Sequence, residues 1–270
     1  MANTKETIEL EVISYEKICS QNNAELQRLF AACQPPPIGR GIFWLDFRGS
    51  KGEEVLQHLA SVNEGIYKYF QQPISAKMAD FREGVERGFK DHDSIIDTFE
   101  ISRDEEIQGE RRLPPILDVY KTQISGMSSI CDTAARDLTS ALCSSLMPGT
   151  SFNVIPENES DTGIKLCLVN GEVPAWDEVA EPHTDFGIVT LVFCDFPSLE
   201  LVTSHDGSGK PNWALIEPLE GCALVNVADT LQSRTNNALY SPLHRVVQPE
   251  GGQAKGVPMT AYYLRPEHVM

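Results

Sequence analysis

His183 and Asp185 stand two apart in the run Glu181-Pro-His-Thr-Asp-Phe-Gly-Ile-Val-Thr-Leu-Val-Phe193. On an extended strand side chains alternate, so these two share a face. A third donor must then come from a neighbouring strand. His244, in Ser241-Pro-Leu-His-Arg-Val-Val247, is the candidate. Two imidazoles and one carboxylate on one face of an Fe(II) leave the opposite face open for O2 and a small molecule. The expected metal ligands and catalytic residues are therefore His183, Asp185 and His244.

His-x-Asp alone is a weak signal in a chain with six histidines. Three features give it weight. The pair directly precedes an apolar strand, His244 lies on another, and the segment between them is a run of strands whose closure can bring them together. A one-residue slip in either strand would turn a ligand away. The other histidines read as carrying no chemistry: His58 on the surface of a long helix, His92 in a charged loop, His205 in a Gly-rich turn, and His268 near the end.

The elements that must position the triad change in texture along the chain. Residues 8–13 alternate apolar and charged, as a short strand does. A helix is expected over 22–33, stopping before Pro35-Pro36-Pro37, and a strand over 41–46. Residues 52–70 carry Val55, Leu59, Val62, Ile66 and Tyr69 on one helical stripe. Ser75 is the expected cap of a short helix through 78–81. Residues 82–112 read as loop with one strand at 98–101. Pro114 opens a helix running to Leu146 and ending at Pro148-Gly149. From 164 onward short strands alternate with turns, at 164–169, 188–193, 199–203, 213–216, 223–227, 244–247 and 257–264. Turn residues at 205–209 and 249–252 mark the breaks. The fold class expected is mainly β with flanking helices, built on a double-stranded β-helix (jelly-roll, cupin-like) core. Residues 1–270 read as a single domain, with a mostly helical part over 1–150 packed on a barrel over 160–266.

Composition narrows the function classes. A net charge of −17 argues against nucleic acid and anionic membrane surfaces. No apolar run is long enough to span a bilayer, and the polar start Met1-Ala-Asn-Thr-Lys-Glu-Thr does not read as a signal peptide. The seven cysteines are odd in number, scattered, and never in Cys-x-x-Cys. They read as reduced, small core residues of a cytoplasmic protein.

The motifs together resemble a known family. His183-Thr-Asp-Phe-Gly, Leu199-Glu-Leu-Val, Asn212-Trp213, Gly221-Cys-Ala-Leu-Val-Asn-Val-Ala-Asp229-Thr-Leu-Gln and Ser241-Pro-Leu-His244-Arg-Val-Val are similar to the isopenicillin N synthase-like branch of the Fe(II)/2-oxoglutarate oxygenases. In the first half Glu11-Val-Ile-Ser-Tyr15, Gly41-Ile-Phe-Trp-Leu, 70–78 and Asp97-Thr-Phe-Glu-Ile101 resemble its "GFF-x-L", "FF-x-LP" and "KE-x-F-x-x-G" segments and its first strand. The resemblance implies a double-stranded β-helix, Fe(II) on His183, Asp185 and His244, O2 as co-substrate, and a small-molecule substrate oxidised in specialised metabolism.

The chain also departs from that family. Where the family carries Arg-x-Ser for the distal carboxylate of 2-oxoglutarate, the aligned positions are Val257 and Met259. Where a second strand supplies Tyr, the matching stretch Lys165-Leu-Cys-Leu-Val-Asn170 places Cys167 and Val169. A carboxylate buried against Val169, Val257 and Met259 without a cation costs several kcal/mol. These three are the expected co-substrate positions, remade, which leaves 2-oxoglutarate use open. Lys165 is expected to point away from the barrel, and Arg245 to face opposite to His244. Asp229 reads as a turn or supporting acceptor. Phe186, Phe193, Trp213, Tyr262 and Tyr263 are candidate pocket aromatics. Relatives continue past the last strand with helices that cover the mouth, so here either the mouth is open or a partner subunit or the first-half helices close it. The oligomeric state is not legible. The rival readings are an isomerase, lyase or pericyclase on the same barrel, and a non-catalytic small-molecule binding protein.

Overall fold

Short strands of the second half and a few from the first form two sheets that enclose an apolar interior. The computed structural model describes residues 5–49, 52–92, 95–146, 160–170, 174–248 and 256–267. The expected helix stop at Pro148-Gly149, the turn at 249–252, and His268 lie outside the described residues.

In chain order the elements are β1 (Thr7–Ile8), β2 (Val12–Ser14), α1 (Tyr15–Cys19), α2 (Asn23–Cys33), β3 (Ile42–Asp46), α3 (Glu53–Phe70), α4 (Ile74–Lys77), β4 (Gly88–His92), β5 (Ile96–Ser102), α5 (Arg103–Ile107), α6 (Pro115–Asp118) and α7 (Lys121–Leu146). The second half adds β6 (Gly163–Val169), β7 (Glu178–His183), β8 (Val189–Cys194), β9 (Leu199–His205), β10 (Pro211–Ile216), β11 (Cys222–Val227), α8 (Asp229–Arg234), β12 (His244–Val247) and β13 (Val257–Leu264). The smaller sheet runs β1-β10-β9-β12-β7, and the larger β2-β3-β11-β8-β13-β6-β5-β4.

Alternation along the large sheet separates two cores. Its outward residues, among them Leu166, Leu191, Val225 and Tyr262, join Val62, Ile66, Leu138 and Leu142 of α3 and α7. Its inward residues, among them Trp44, Cys167, Leu224 and Met259, meet Val179, Leu201 and Val246 of the small sheet. Each buried aliphatic side chain in these layers contributes about 1.5–3 kcal/mol. Helices α3 and α7 thus pack on the outer face of the large sheet. Among the described residues no helix is long and apolar enough to cross a membrane.

Several expected elements differ in detail. The single strand over 8–13 is two strands, because the chain passes from the small sheet, where β1 pairs with β10, to the large one, where β2 pairs with β3. The short helix starts at Ile74 with Pro73 at its cap, so Ser75 lies inside it. Residues 82–112 hold the hairpin β4–β5 and α5, which Ser102 caps by accepting from the amides of Asp104 and Glu105. The helix from Pro114 breaks after Asp118, where Tyr120 seats against Gly65 of α3. Most consequential is β7, which carries His183 and which alternation does not reveal. It forms an edge of the small sheet, where the polar sequence Glu-Val-Ala-Glu-Pro-His and its proline are tolerated.

Candidate metal centre

His183 ends β7 and His244 begins β12, and the two are cross-strand partners in that antiparallel pair. Their ring centroids lie 4.5 Å apart at an interplanar angle of 54°. Asp185 is not on the strand, as simple alternation would have it, but two residues beyond its end, in the connection that crosses to β8 in the other sheet. Its Oδ1 lies 3.8 Å from Nε2 of His183 and 3.8 Å from Nε2 of His244. The three donor atoms all fall within 4.8 Å of one another. The 3.8 Å separations are within the span of two metal–ligand bonds of about 2.1 Å.

Main-chain bonds fix the connection. The amides of Asp229 and Thr230, in the first turn of α8, donate to the carbonyls of Asp185 (2.9 Å) and Gly187 (2.8 Å). The Ile188 amide donates to Leu264 at 2.8 Å. Gly187 has φ +131°, and a Cβ there would meet the Leu264 oxygen at 2.8 Å, so glycine alone fits without strain. The Asp229 carboxylate accepts from the Thr184 hydroxyl at 2.9 Å, in keeping with a supporting role.

Both imidazoles are oriented from behind. Nδ1 of His183 donates to the Glu181 carbonyl (2.7 Å), and Nδ1 of His244 to the Pro242 carbonyl (3.1 Å). A carbonyl only accepts, so each Nδ1 carries a proton, and in the neutral ring Nε2 is the nitrogen that presents a lone pair. Asp185 is buried, and its Oδ2 accepts from Nδ2 of Asn226 at 2.8 Å. Burial pushes the Asp185 carboxyl up, but His244, Asn226 and His183 together hold it below its ordinary value. Burial takes the His244 imidazole below its ordinary value, against the pull of Asp185, which favours the neutral form a metal needs. Two imidazole Nε2 atoms and one carboxylate oxygen converging on one point suit a divalent iron. Asn226 escaped the sequence reading. The one available signal was a polar residue within the otherwise apolar strand Cys-Ala-Leu-Val-Asn-Val.

A cavity of about 390 Å³ opens on this centre, lined by His183, Asp185, Phe186, Lys165, Tyr263 and Arg265, among others. Lys165 is a correction. It shares the parity of Cys167 and Val169 on β6, so it faces inward with them and not away from the barrel. Of the candidate aromatics, Phe186 and Tyr263 reach the cavity. Burial, and after it the charge of Asp185, pushes the Tyr263 phenol well above its ordinary value, so it remains a donor. Tyr262 faces the helices and bonds Asp132, Phe193 packs on Phe47, and Trp213 lies under Arg245. Arg245 binds Glu200 and Glu178, away from the metal face as expected. Val169, Val257 and Met259 sit together in the apolar interior. Val257 is paired with Val169, and Met259 lies between Cys167 and Cys194.

Of the remaining histidines, His58 is more packed than a surface residue, lying against Gly126 on α7, and His92 ends β4 beside Thr98 at 3.2 Å. His205 is exposed at the end of β9.

Comparison with known proteins adds a family. The model of the 2OG-Fe(II) oxygenase superfamily matches residues 164–256, a span that contains all three donors. The chain is similar to the 2-oxoglutarate-dependent dioxygenase FG08081 of Gibberella zeae, 24% identical over 273 residues that cover 96% of this chain and 80% of the relative. It is also similar to the 2-oxoglutarate-dependent dioxygenase frbH of a Dothideomycetidae species, 26% identical over 276 residues that cover 96% and 82%. Among solved structures, Neurospora crassa T7H in complex with alpha-KG superposes with a TM-score of 0.76, at 20% identity over 99% of this chain and 89% of that one. That likeness establishes the jelly-roll fold.

Proposed function

We propose that the chain is a member of the 2OG-Fe(II) oxygenase superfamily, whose model matches residues 164–256, and that His183, Asp185 and His244 hold one Fe(II) in a non-haem iron oxidoreductase acting on a small organic molecule. The observation that carries the assignment is the convergence of three donor atoms whose rear hydrogen bonds leave the right lone pairs free. When bound, the iron supplies the electron transfer that activates O2. The chain's own residues do the rest. The Glu181 and Pro242 carbonyls fix the ring tautomers, and Asn226 turns Oδ1 of Asp185 toward the rings. Phe186 and Tyr263 shape the space beside the donors.

Within this reading, 1–270 is one catalytic unit, with helices of 1–150 bracing strands of 160–266. Its place is specialised metabolism in the cytoplasm. The fungal relatives named as 2-oxoglutarate-dependent dioxygenases support the metabolic assignment. The co-substrate position is remade. Val169, Val257 and Met259 stand where the family resemblance places the grip on the distal carboxylate, and their apolar surroundings supply no cation to an acid.

The test is anaerobic addition of Fe(II), with and without 2-oxoglutarate, followed by O2. A triad-dependent Fe(II) complex is expected. A charge-transfer band and succinate appear if 2-oxoglutarate is the electron donor. Substrate consumption without either would assign the electrons to the substrate. Consumption that survives without O2 would replace the oxidoreductase with an isomerase or lyase.

A further inference from the structure

The cavity beside the metal centre carries its positive charge on one wall. Lys165 of β6 and Arg265, just past β13, line it next to Tyr263. Both are held by Glu100 of β5: Lys165 Nζ lies 3.0 Å from Oε2, and Arg265 bonds Oε1. Two cations thus share one carboxylate that is 2% exposed and does not line the cavity, so the pair outnumbers the acid behind it. Three acids line the cavity: Asp185 belongs to the metal centre, and Glu86 and Asp161 are 62% and 45% exposed. Glu86 reaches Lys165 only at 3.7 Å, and a solvated pair of that kind contributes little. Lys165 and Arg265 stand 5.3 and 4.6 Å from the ring centre of Tyr263, whose hydroxyl makes no hydrogen bond to any described residue. A carboxylate leaving water needs a cation and donors. This wall offers both, whereas the interior around Val257 and Met259 offers neither.

Resting on the iron-centre reading above, we propose that Lys165, with Arg265 and Tyr263, is the anion subsite of the cavity and takes the carboxylate of an organic acid bound beside the metal. That carboxylate belongs either to a 2-oxo acid co-substrate or to the substrate itself. Lys165 is a point charge on a flexible stem, free to leave exposed Glu86 for the ligand. Arg265, pinned between Glu100 and the Asp161 carbonyl, keeps the wall in place, and the Tyr263 hydroxyl donates to the second oxygen.

Calorimetric titration of Mn(II)-loaded protein with three acids separates the sources. The probes are 2-oxoglutarate, 2-oxopentanoate (the same chelating head without the distal carboxylate) and glutarate. Wild type is compared with Lys165→Met, Lys165→Arg and Glu86→Gln. If a co-substrate carboxylate sits at Lys165, 2-oxoglutarate binds wild type about tenfold or more tighter than 2-oxopentanoate, Lys165→Met removes that advantage, and Lys165→Arg keeps most of it. If a substrate carboxylate sits there, the two 2-oxo acids bind alike, and glutarate binds 2-oxopentanoate-saturated wild type about tenfold tighter than it binds Lys165→Met. In either case Glu86→Gln tightens the acid that uses the site. Lys165→Met that keeps its Mn(II) affinity and binds all three acids as wild type does overturns the proposal. If Lys165→Met does not fold, unchanged acid affinity in Glu86→Gln overturns it. Wild type that fails to bind Mn(II) defeats the metal centre instead, and glutarate titration of the metal-free protein still reports on Lys165.

Discussion

Asn226 and Asp185 meet at 2.8 Å, the amide of one donating to Oδ2 of the other. The contact ties β11 to the connection after β7, and it decides which carboxylate oxygen is left for a metal. In Asn226→Ala the carboxylate can rotate and keeps a buried oxygen without a donor. Fe(II) affinity is expected to fall about 10–100-fold, read by anaerobic titration with an unchanged circular dichroism spectrum. Unaltered affinity would show that something else orients Asp185.

The two histidines differ in burial. The His183 side chain is 43% exposed and that of His244 is 10%. Alanine at either should abolish Fe(II) binding. In urea unfolding without metal, His183→Ala should stay within about 0.5 kcal/mol of wild type. His244→Ala should lose about 1–3 kcal/mol, because it empties a packed site and strands the Pro242 carbonyl.

Glu105 gives the clearest pH dependence. Arg82 clasps both its oxygens at 2.7 and 3.0 Å, and Arg87 adds a contact at 3.2 Å. Burial pushes this carboxyl up, but the two arginines outweigh it and hold it below its ordinary value. A depressed carboxyl stabilises the fold fully above the unfolded value of about 4.3, and that share is lost as pH falls through the folded value. Glu105→Gln should therefore cost about 1–2 kcal/mol at pH 7, a figure moderated by the solvent around Arg82. The gap from wild type should close as pH drops below about 4 in thermal melts. A gap that persists in acid would mean the loss is one of packing.

Met259 tests the apolar interior. It is buried between Cys167 and Cys194 and does not line the metal cavity. Met259→Ala should lower stability by about 2–5 kcal/mol in chemical denaturation while leaving Fe(II) affinity intact. A change in metal affinity would show that the interior and the metal end are coupled.

The grouping of the three donors was legible because histidine is scarce in the chain and both His183 and His244 stand beside apolar strand sequence. What carries His183 was not. The edge strand β7 has charged residues and a proline where an interior strand would alternate, since only one of its sides makes ladder bonds. The edge strand β4, with Gly-Phe-Lys-Asp-His, was missed for the same reason. Lys165 was misread although its parity with Cys167 was in plain sight. A lysine argues for solvent by type, and only the buried Glu100 across from it on β5 explains why it turns inward. Asp185 sits past its strand because the chain changes sheets there, a turn that Gly187 marks but does not by itself reveal.

Because the amides of Asp229 and Thr230 and the Leu264 carbonyl hold the connection after β7, the place of Asp185 is written in main-chain atoms. The Phe186 side chain takes no part in those bonds. Phe186, 65% exposed at the cavity mouth, can be exchanged over generations for a residue of another shape without shifting its neighbour Asp185. Such an arrangement separates the inheritance of reactivity from the inheritance of substrate preference, and allows one reaction centre to serve successive chemistries.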